Sequence, residues 1–277
     1  IAPSIELKTN YLGQVESNFL YIKKLLNDAT ILKPLLSYCY GSFEGMVLWK
    51  LTGDKTYLEN VNNWVEILLK ESFENVDAIT VQQASSLLLN FSKHNPQIKP
   101  KALEVAQIAK KQFLSAVEKG APIQLAMFAE LINTFSLCEK IEKGKNHYKF
   151  ALEVADWLIS NQFSYPNDKN GIFPATTAGG LPYTRGVGKI AETLPIAIIL
   201  ADEFGLDDMK YREALEKTML WIEEMQYNDE NVYFVTPEGR ESVIGGIRHD
   251  MVNTEAWIDS VGHYLLALSR IRDKKIF

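Results

Sequence analysis

ALEVADWLISNQF (151–163) reads as an amphipathic helix: Ala151, Val154, Ala155 and Leu158 share one face, while Glu153 and Asp156 lie on the other. The chain writes this phrase again. ALEVAQIAKKQF begins at Ala102, ALEKTMLWIEEMQ begins at Ala214, and a more distant copy, NVNNWVEILLKESF, begins at Asn60. Three of the four copies have a tyrosine shortly upstream and a tryptophan within the helix: Tyr57 with Trp64, Tyr148 with Trp157, and Tyr211 with Trp221. Two follow turn signals, TGDKTY and GLDDMKY, in which an aspartate is expected to cap the new helix. A repeat at this spacing is the mark of stacked supersecondary units.

Between the copies lie helices of another character. Segments 34–51, 80–92, 122–137, 188–204 and 253–268 are apolar almost all round, so they are expected to be buried on most sides, whereas the amphipathic set faces solvent. Alternation of the two kinds predicts two layers. With a further amphipathic helix near residues 11–27, the chain holds about five hairpins at a period of roughly 45–60 residues. Strand signals are scarce, and the fold class is all-α.

The totals bound the function. The 277 residues carry a net charge of −6, 47% hydrophobic and 23% charged residues, ordinary values for a soluble globular chain with a sizeable core. There is no basic footprint, which argues against nucleic acid as a partner. No apolar run nears the roughly 20 residues of a membrane span. Cys39 and Cys138 are isolated among apolar residues and read as small buried hydrophobes rather than a disulfide framework. The chain opens Ile-Ala-Pro, so a preceding segment is expected to have been removed or to lie outside it. The compartment, cytoplasmic or exported, is not written in the composition.

TGDKTYLENVNNWVEILL (52–69) resembles the outer-helix repeat of the six-hairpin glycosidase-like enzymes, a group of α/α toroids with an inner ring of helices wrapped by an outer one. The resemblance implies a single toroid domain over residues 1–277 and a carbohydrate-active enzyme: glycoside hydrolase, polysaccharide lyase or sugar epimerase. It is a resemblance of repeat style. Five hairpins instead of six implies either a five-pair ring or helices and further domains outside this chain.

The connections are unequal. Residues 164–188 and 227–252 form two long loops, each with a β-like patch (GIFPATT, NVYFVTPEG) and a Gly-Gly pair leading into an inner helix. Loops of this length in a compact domain usually carry function. After Gly179-Gly180 come Tyr183, Arg185, Lys189 and Glu192; after Gly245-Gly246 come Arg248, His249, Asp250, Asn253, Glu255 and Asp259. By the same register the earlier inner helices offer Tyr38, Tyr40 and Glu44, then Gln82 and Gln83, then Gln124. Helix N-termini gathered at one end favour anions.

Such a set suits an oligosaccharide. Tyr40, Phe173, Tyr183, Tyr233 and Trp257 can stack on sugar faces, with Arg185, Arg248 and Asn253 as polar binding groups. Glu44, Glu192, Asp250 and Asp259 supply acids, and His249 is the better placed histidine. A hydrolase needs one protonated carboxyl and one ionised carboxylate, expected to be Glu44 or Glu192 for the first and Asp250 or Asp259 for the second. A plainer reading makes Glu192 and Asp259 helix-capping or arginine-paired acids, Glu255 a first-turn acid and His263 a hydrogen-bonded core histidine. Alternatively, Arg185, Arg240 and Arg248 grip a uronate carboxylate while Tyr183 or His249 abstracts the adjacent proton, giving a lyase or epimerase. A non-catalytic helical-repeat binding module is the third reading. No cofactor is called for: there is no phosphate loop or dinucleotide fingerprint, and the cysteines and histidines lack the paired spacing of a zinc site.

Overall fold

A computed structural model describes residues 5–28, 34–162, 172–227, 233–236, 239–242, 246–250 and 258–276. It contains ten α-helices and one two-stranded hairpin in this described set. The helices are α1 (Ile5–Leu26), α2 (Pro34–Thr52), α3 (Lys55–Leu69), α4 (Ala78–Phe91), α5 (Lys99–Lys119), α6 (Glu130–Ile141), α7 (His147–Ser160), α8 (Thr184–Glu203), α9 (Met209–Glu224) and α10 (Ile258–Lys274). Between α9 and α10, β1 (Tyr233–Thr236), inside the patch that reads as β-like in the sequence, pairs antiparallel with β2 (Gly239–Ser242), most of which lies beyond that patch. No described helix is long and apolar enough to cross a membrane. The chain divides into two compact units, Ile1–Gln112 and Phe113–Phe277.

The alternation expected from the sequence appears in α3, α8 and α9, whereas α10, expected to be buried on most sides, leaves Leu265, Leu266 and Leu268 exposed. In α9 the buried residues include Tyr211, Ala214, Leu215, Thr218, Met219 and Ile222, a single stripe at helical spacing; in α3 they are Val61, Trp64, Val65 and Leu68. By contrast α8 buries residues on every side, from Thr184 and Gly186 to Leu200 and Ala201. The recurring tyrosines have a physical explanation. Tyr57, at the start of α3, donates its hydroxyl to Glu16 of α1 at 2.6 Å, and Tyr211, at the start of α9, donates to Asp156 of α7 at 2.8 Å. Each ties one amphipathic helix to the amphipathic helix before it. Tyr148 differs, stacking on Phe204 with ring centroids 3.6 Å apart.

In the first unit Phe19, Leu48 and Trp64 form a buried cluster, with Phe19 edge-on to Tyr57 at 5.2 Å. Asp54 caps α3 by accepting from the Thr56 amide at 2.8 Å, as TGDKTY predicts. In GLDDMKY the first aspartate does this work, Asp207 accepting from the Met209 amide at 3.0 Å, because the Asp208 carboxylate is taken by Arg212. Gly45 lets α2 approach its neighbours: a Cβ there would sit 2.6 Å from Val61 and 2.9 Å from the Phe19 ring. Gly45→Ala is therefore expected to destabilise the chain. Overpacking a close-packed core costs about 1–3 kcal/mol, against at most about 1 kcal/mol recovered in helix propensity. Urea denaturation midpoints check it.

In the second unit Phe113 meets Phe128, Phe150 and Trp157 edge-on at 5.2, 5.7 and 5.2 Å. The helix expected over 122–137 starts later, at Glu130, after a 3-10 turn at Leu125–Met127. The reason lies in the loop. The Leu125 amide donates to the Ala175 carbonyl and the Thr177 amide donates to the Ile123 carbonyl, so 123–125 is held extended against 175–177. α8 and α10 run parallel: Thr184 meets Ser260, a Cβ on Gly188 would meet His263, and the Glu192 carbonyl accepts from Arg270. Pro195 opens the α8 ladder near that last contact, since it lacks an amide and crowds the carbonyl four residues back.

Candidate functional site

The site is built on residues 246–250, a short extended segment held on both edges. On one edge Tyr227 N–H donates to the Gly246 carbonyl at 2.9 Å, and Arg248 N–H donates to the Met225 carbonyl at 3.0 Å. On the other, Thr184 N–H donates to the His249 carbonyl at 2.7 Å, and Tyr183 bridges Asp250 in antiparallel fashion. Ile247 is fully buried beneath, which fixes the pleat of the segment. His249 and Asp250 are both half-buried, with Nε2 and Oδ2 separated by 3.7 Å. The His249 ring lies 5.9 Å from the Tyr183 ring.

Tyr183 stands at the entrance of α8. Its hydroxyl accepts from the Gln124 amide, and Gly186 gives the ring its place, since a Cβ there would come within 2.5 Å of it. Gln124 and Tyr183, assigned to one end by sequence register alone, are in contact. Burial pushes the Tyr183 phenol above its ordinary value, a shift only partly opposed by Gln124 and Arg185, so it stays protonated at neutral pH. Here a phenol, an imidazole, a carboxylate and a primary amide meet at one helix entrance. Together they can bind a polyhydroxylated ligand and move a proton.

The other expected residues fall elsewhere. Arg185 is the exception, exposed on the first turn of α8 and near enough to act electrostatically on Tyr183. The Arg248 guanidinium donates to the Glu224 carbonyl at 3.1 Å and lies 5.8 Å over the Tyr227 ring, so it serves the negative C-terminal end of α9. Phe173 is 1% exposed and belongs to the core, so it offers no stacking face; Gln82 is likewise buried. Tyr40 is 42% exposed on α2. Asp259 lies on α10, but its side chain, like Asn253, Glu255 and Trp257, is outside the described residues.

Glu192 corrects one expectation. It is 2% exposed, yet it is held by Lys189 at 2.5 Å and by His263 Nδ1 at 2.8 Å. Lys189 also bridges Glu130 at 2.9 Å, and Asn133 donates to Glu130 at 2.8 Å. Burial works to raise the Glu192 pKa, but the His263 hydrogen bond and the Lys189 charge outweigh it and bring the group down to about 2. Glu192 is thus an ionised member of a buried network joining α6, α8 and α10, unsuited to donate a proton. His263 is hydrogen-bonded within the same network, as its plainer reading has it.

Glu44, in the first unit, is the carboxyl with the opposite character. Its Oε2 is buried with no hydrogen-bond partner among the described residues, and burial raises its pKa. A raised folded pKa means that the native state binds more protons than the unfolded chain, so stability falls as pH rises from the ordinary carboxyl value through the folded one. Glu44→Gln is expected to remove that slope, gaining melting temperature relative to the parent at neutral pH and little near pH 4. Thermal melts across pH 4–8 test this. Among the described residues no group of three or more His, Cys, Asp or Glu is disposed to hold a metal ion.

No family model matches the chain, and no curated protein matches it by sequence. Solved structures do match. A family 105 glycoside hydrolase from C. acetobutylicum ATCC 824 aligns with TM-score 0.64 at 14% identity, over 92% of this chain and 77% of that one. An unsaturated glucuronyl hydrolase specific for heparin aligns with TM-score 0.61 at 14% identity, over 97% and 82%. A family 88 glycosyl hydrolase from Bacteroides vulgatus gives 0.59 at 13% identity, over 86% and 74%. The chain therefore has the α/α-toroid fold that the resemblance implies. Identities this low establish the fold, and function is argued from the site.

Proposed function

We propose that the chain is a carbohydrate-active enzyme, a glycoside hydrolase that binds an oligosaccharide at the entrance of α8. The observation that carries this reading is the meeting of Gln124, Tyr183, His249 and Asp250 on one backbone-pinned segment. Asp250 acts as the carboxylate base, with His249 beside it as the proton-transferring partner. Tyr183 and Gln124 hold sugar hydroxyls and present an aromatic face. Support also comes from the fold, since its solved neighbours include glycoside hydrolases and a polysaccharide lyase.

The hydrolase reading is favoured over a uronate lyase or epimerase by two facts. Arg248, one of the three arginines expected to form the clamp, donates to the end of α9, and the Tyr183 phenol, raised by burial, is protonated at neutral pH and presents no phenolate to abstract a proton. The test is incubation with neutral and uronate-containing oligosaccharides, followed by assay of new reducing ends and of absorbance from unsaturated products. New reducing ends without unsaturation support hydrolysis. Unsaturated products transfer the assignment to a lyase. Binding seen as a thermal shift without any turnover leaves a saccharide-binding module.

A further inference from the structure

We propose that the buried hydroxyls of Thr184 and Ser260 are a positioning device, holding the main chain of residues 248–249 and thereby aiming the His249 and Asp250 side chains. Thr184 is 1% exposed and Ser260 is 1% exposed, so neither meets a ligand directly. Thr184 Oγ1 lies 2.6 Å from the Arg248 carbonyl, 3.0 Å from the His249 carbonyl and 2.8 Å from Ser260 Oγ. A hydroxyl has one proton to give and lone pairs to receive. Thr184 gives its proton to the 248 carbonyl, its closest acceptor, and receives the Ser260 proton, while its own amide serves the His249 carbonyl at 2.7 Å.

The Thr184 hydroxyl, steadied by Ser260 of α10, thus fixes the Arg248 carbonyl, and the Thr184 amide fixes the His249 carbonyl, in a segment that belongs to neither a helix nor β1 or β2. Peptide groups 248 and 249 flank His249 on either side, so fixing both carbonyls sets its φ and ψ, and with them the separation of the imidazole from Asp250. A methyl in place of the hydroxyl keeps the shape of the threonine but leaves the Arg248 carbonyl and the buried Ser260 hydroxyl short of a partner. The segment must then shift to recover them.

This role rests on the hydrolase reading, so its test has an arm that does not depend on activity. Thr184→Val and Thr184→Ser are compared with the parent by kcat and KM on a cleaved saccharide, and by hydrogen exchange of the Arg248 amide, which donates to Met225. In Thr184→Val, kcat is expected to fall about tenfold or more with KM within about twofold, because a small misplacement of reacting groups acts on turnover. The Arg248 amide is expected to exchange faster, and Thr184→Ser to restore both. Parent-like exchange and kcat in Thr184→Val would overturn the proposal, as would equal damage in Thr184→Ser, which would make packing the cause. Should Thr184→Val fail to fold, Ser260→Ala carries the same comparison. A parent enzyme that cleaves no saccharide overturns the hydrolase reading alone, and the exchange arm still decides whether the hydroxyls hold the segment.

Discussion

Asp250→Asn is expected to leave the chain folded and to lower saccharide cleavage by about 10²–10⁴-fold, the usual contribution of a positioned acid or base. The substitution keeps the size and planarity of the side chain and removes its charge and its capacity to take a proton. Its main-chain pairing with Tyr183 is untouched, so the local strand geometry survives. What changes is the carboxylate 3.7 Å from His249, which in the parent can accept a proton. Steady-state kinetics on the best substrate from the saccharide panel measure the effect, alongside a melting curve to confirm folding. Parent-like turnover in a folded Asp250→Asn would remove this residue from the chemistry and the hydrolase assignment with it.

The largest expected loss of stability is that of Lys189→Met. In the parent, one ammonium lies 2.5 Å from Glu192 and 2.9 Å from Glu130, both buried. Methionine fills similar volume without charge, leaving two carboxylates close together with their cation gone. Removing one partner from a buried ion pair costs about 3–5 kcal/mol, and here two acceptors are orphaned at once. The sign of the pH dependence separates this from simple overpacking. In the parent the Glu192 pKa, about 2 against an ordinary 4.5, is depressed in the folded state. Its contribution is fully present above about 4.5 and is lost as pH falls towards 2. In Lys189→Met the same carboxyls are raised by burial and mutual repulsion, so the deficit should shrink as pH falls from neutral towards 4 and one of them takes a proton. Urea unfolding at pH 4 and pH 7 measures both. A deficit equal at the two pH values would mean that the ammonium is not what holds the carboxylates.

Much of this molecule is written locally. The spacing of Tyr211, Ala214, Leu215, Thr218 and Ile222 is a helical stripe whichever chain it stands in, and burial follows it. The same holds for Asp54, whose cap needs nothing beyond the next two residues. The tyrosines of the repeat could be counted in the sequence, yet their partners Glu16 and Asp156 lie on preceding helices and only folding identifies them. Of the site, Tyr183, His249 and Asp250 were marked by their place after the Gly-Gly pairs. Thr184 and Ser260 carried no signal, because a hydroxyl becomes informative only once its acceptor is known.

The protonation states show where local reading ends. Glu44 and Glu192 both sit in apolar helices, and the sequence offers either as the proton-donating acid. Burial raises the pKa of the first. The other is ionised because Lys189 is one turn away on its own helix and His263 arrives from 71 residues further on. Helix, stripe and layer depend on periods of a few residues, so the sequence by itself determined the hairpins and their two kinds of helix. The charge on a buried carboxyl depends on the few ångströms around it, and those are filled from distant parts of the chain, so only the tertiary structure decided which acids are charged and which side chains meet at the entrance of α8.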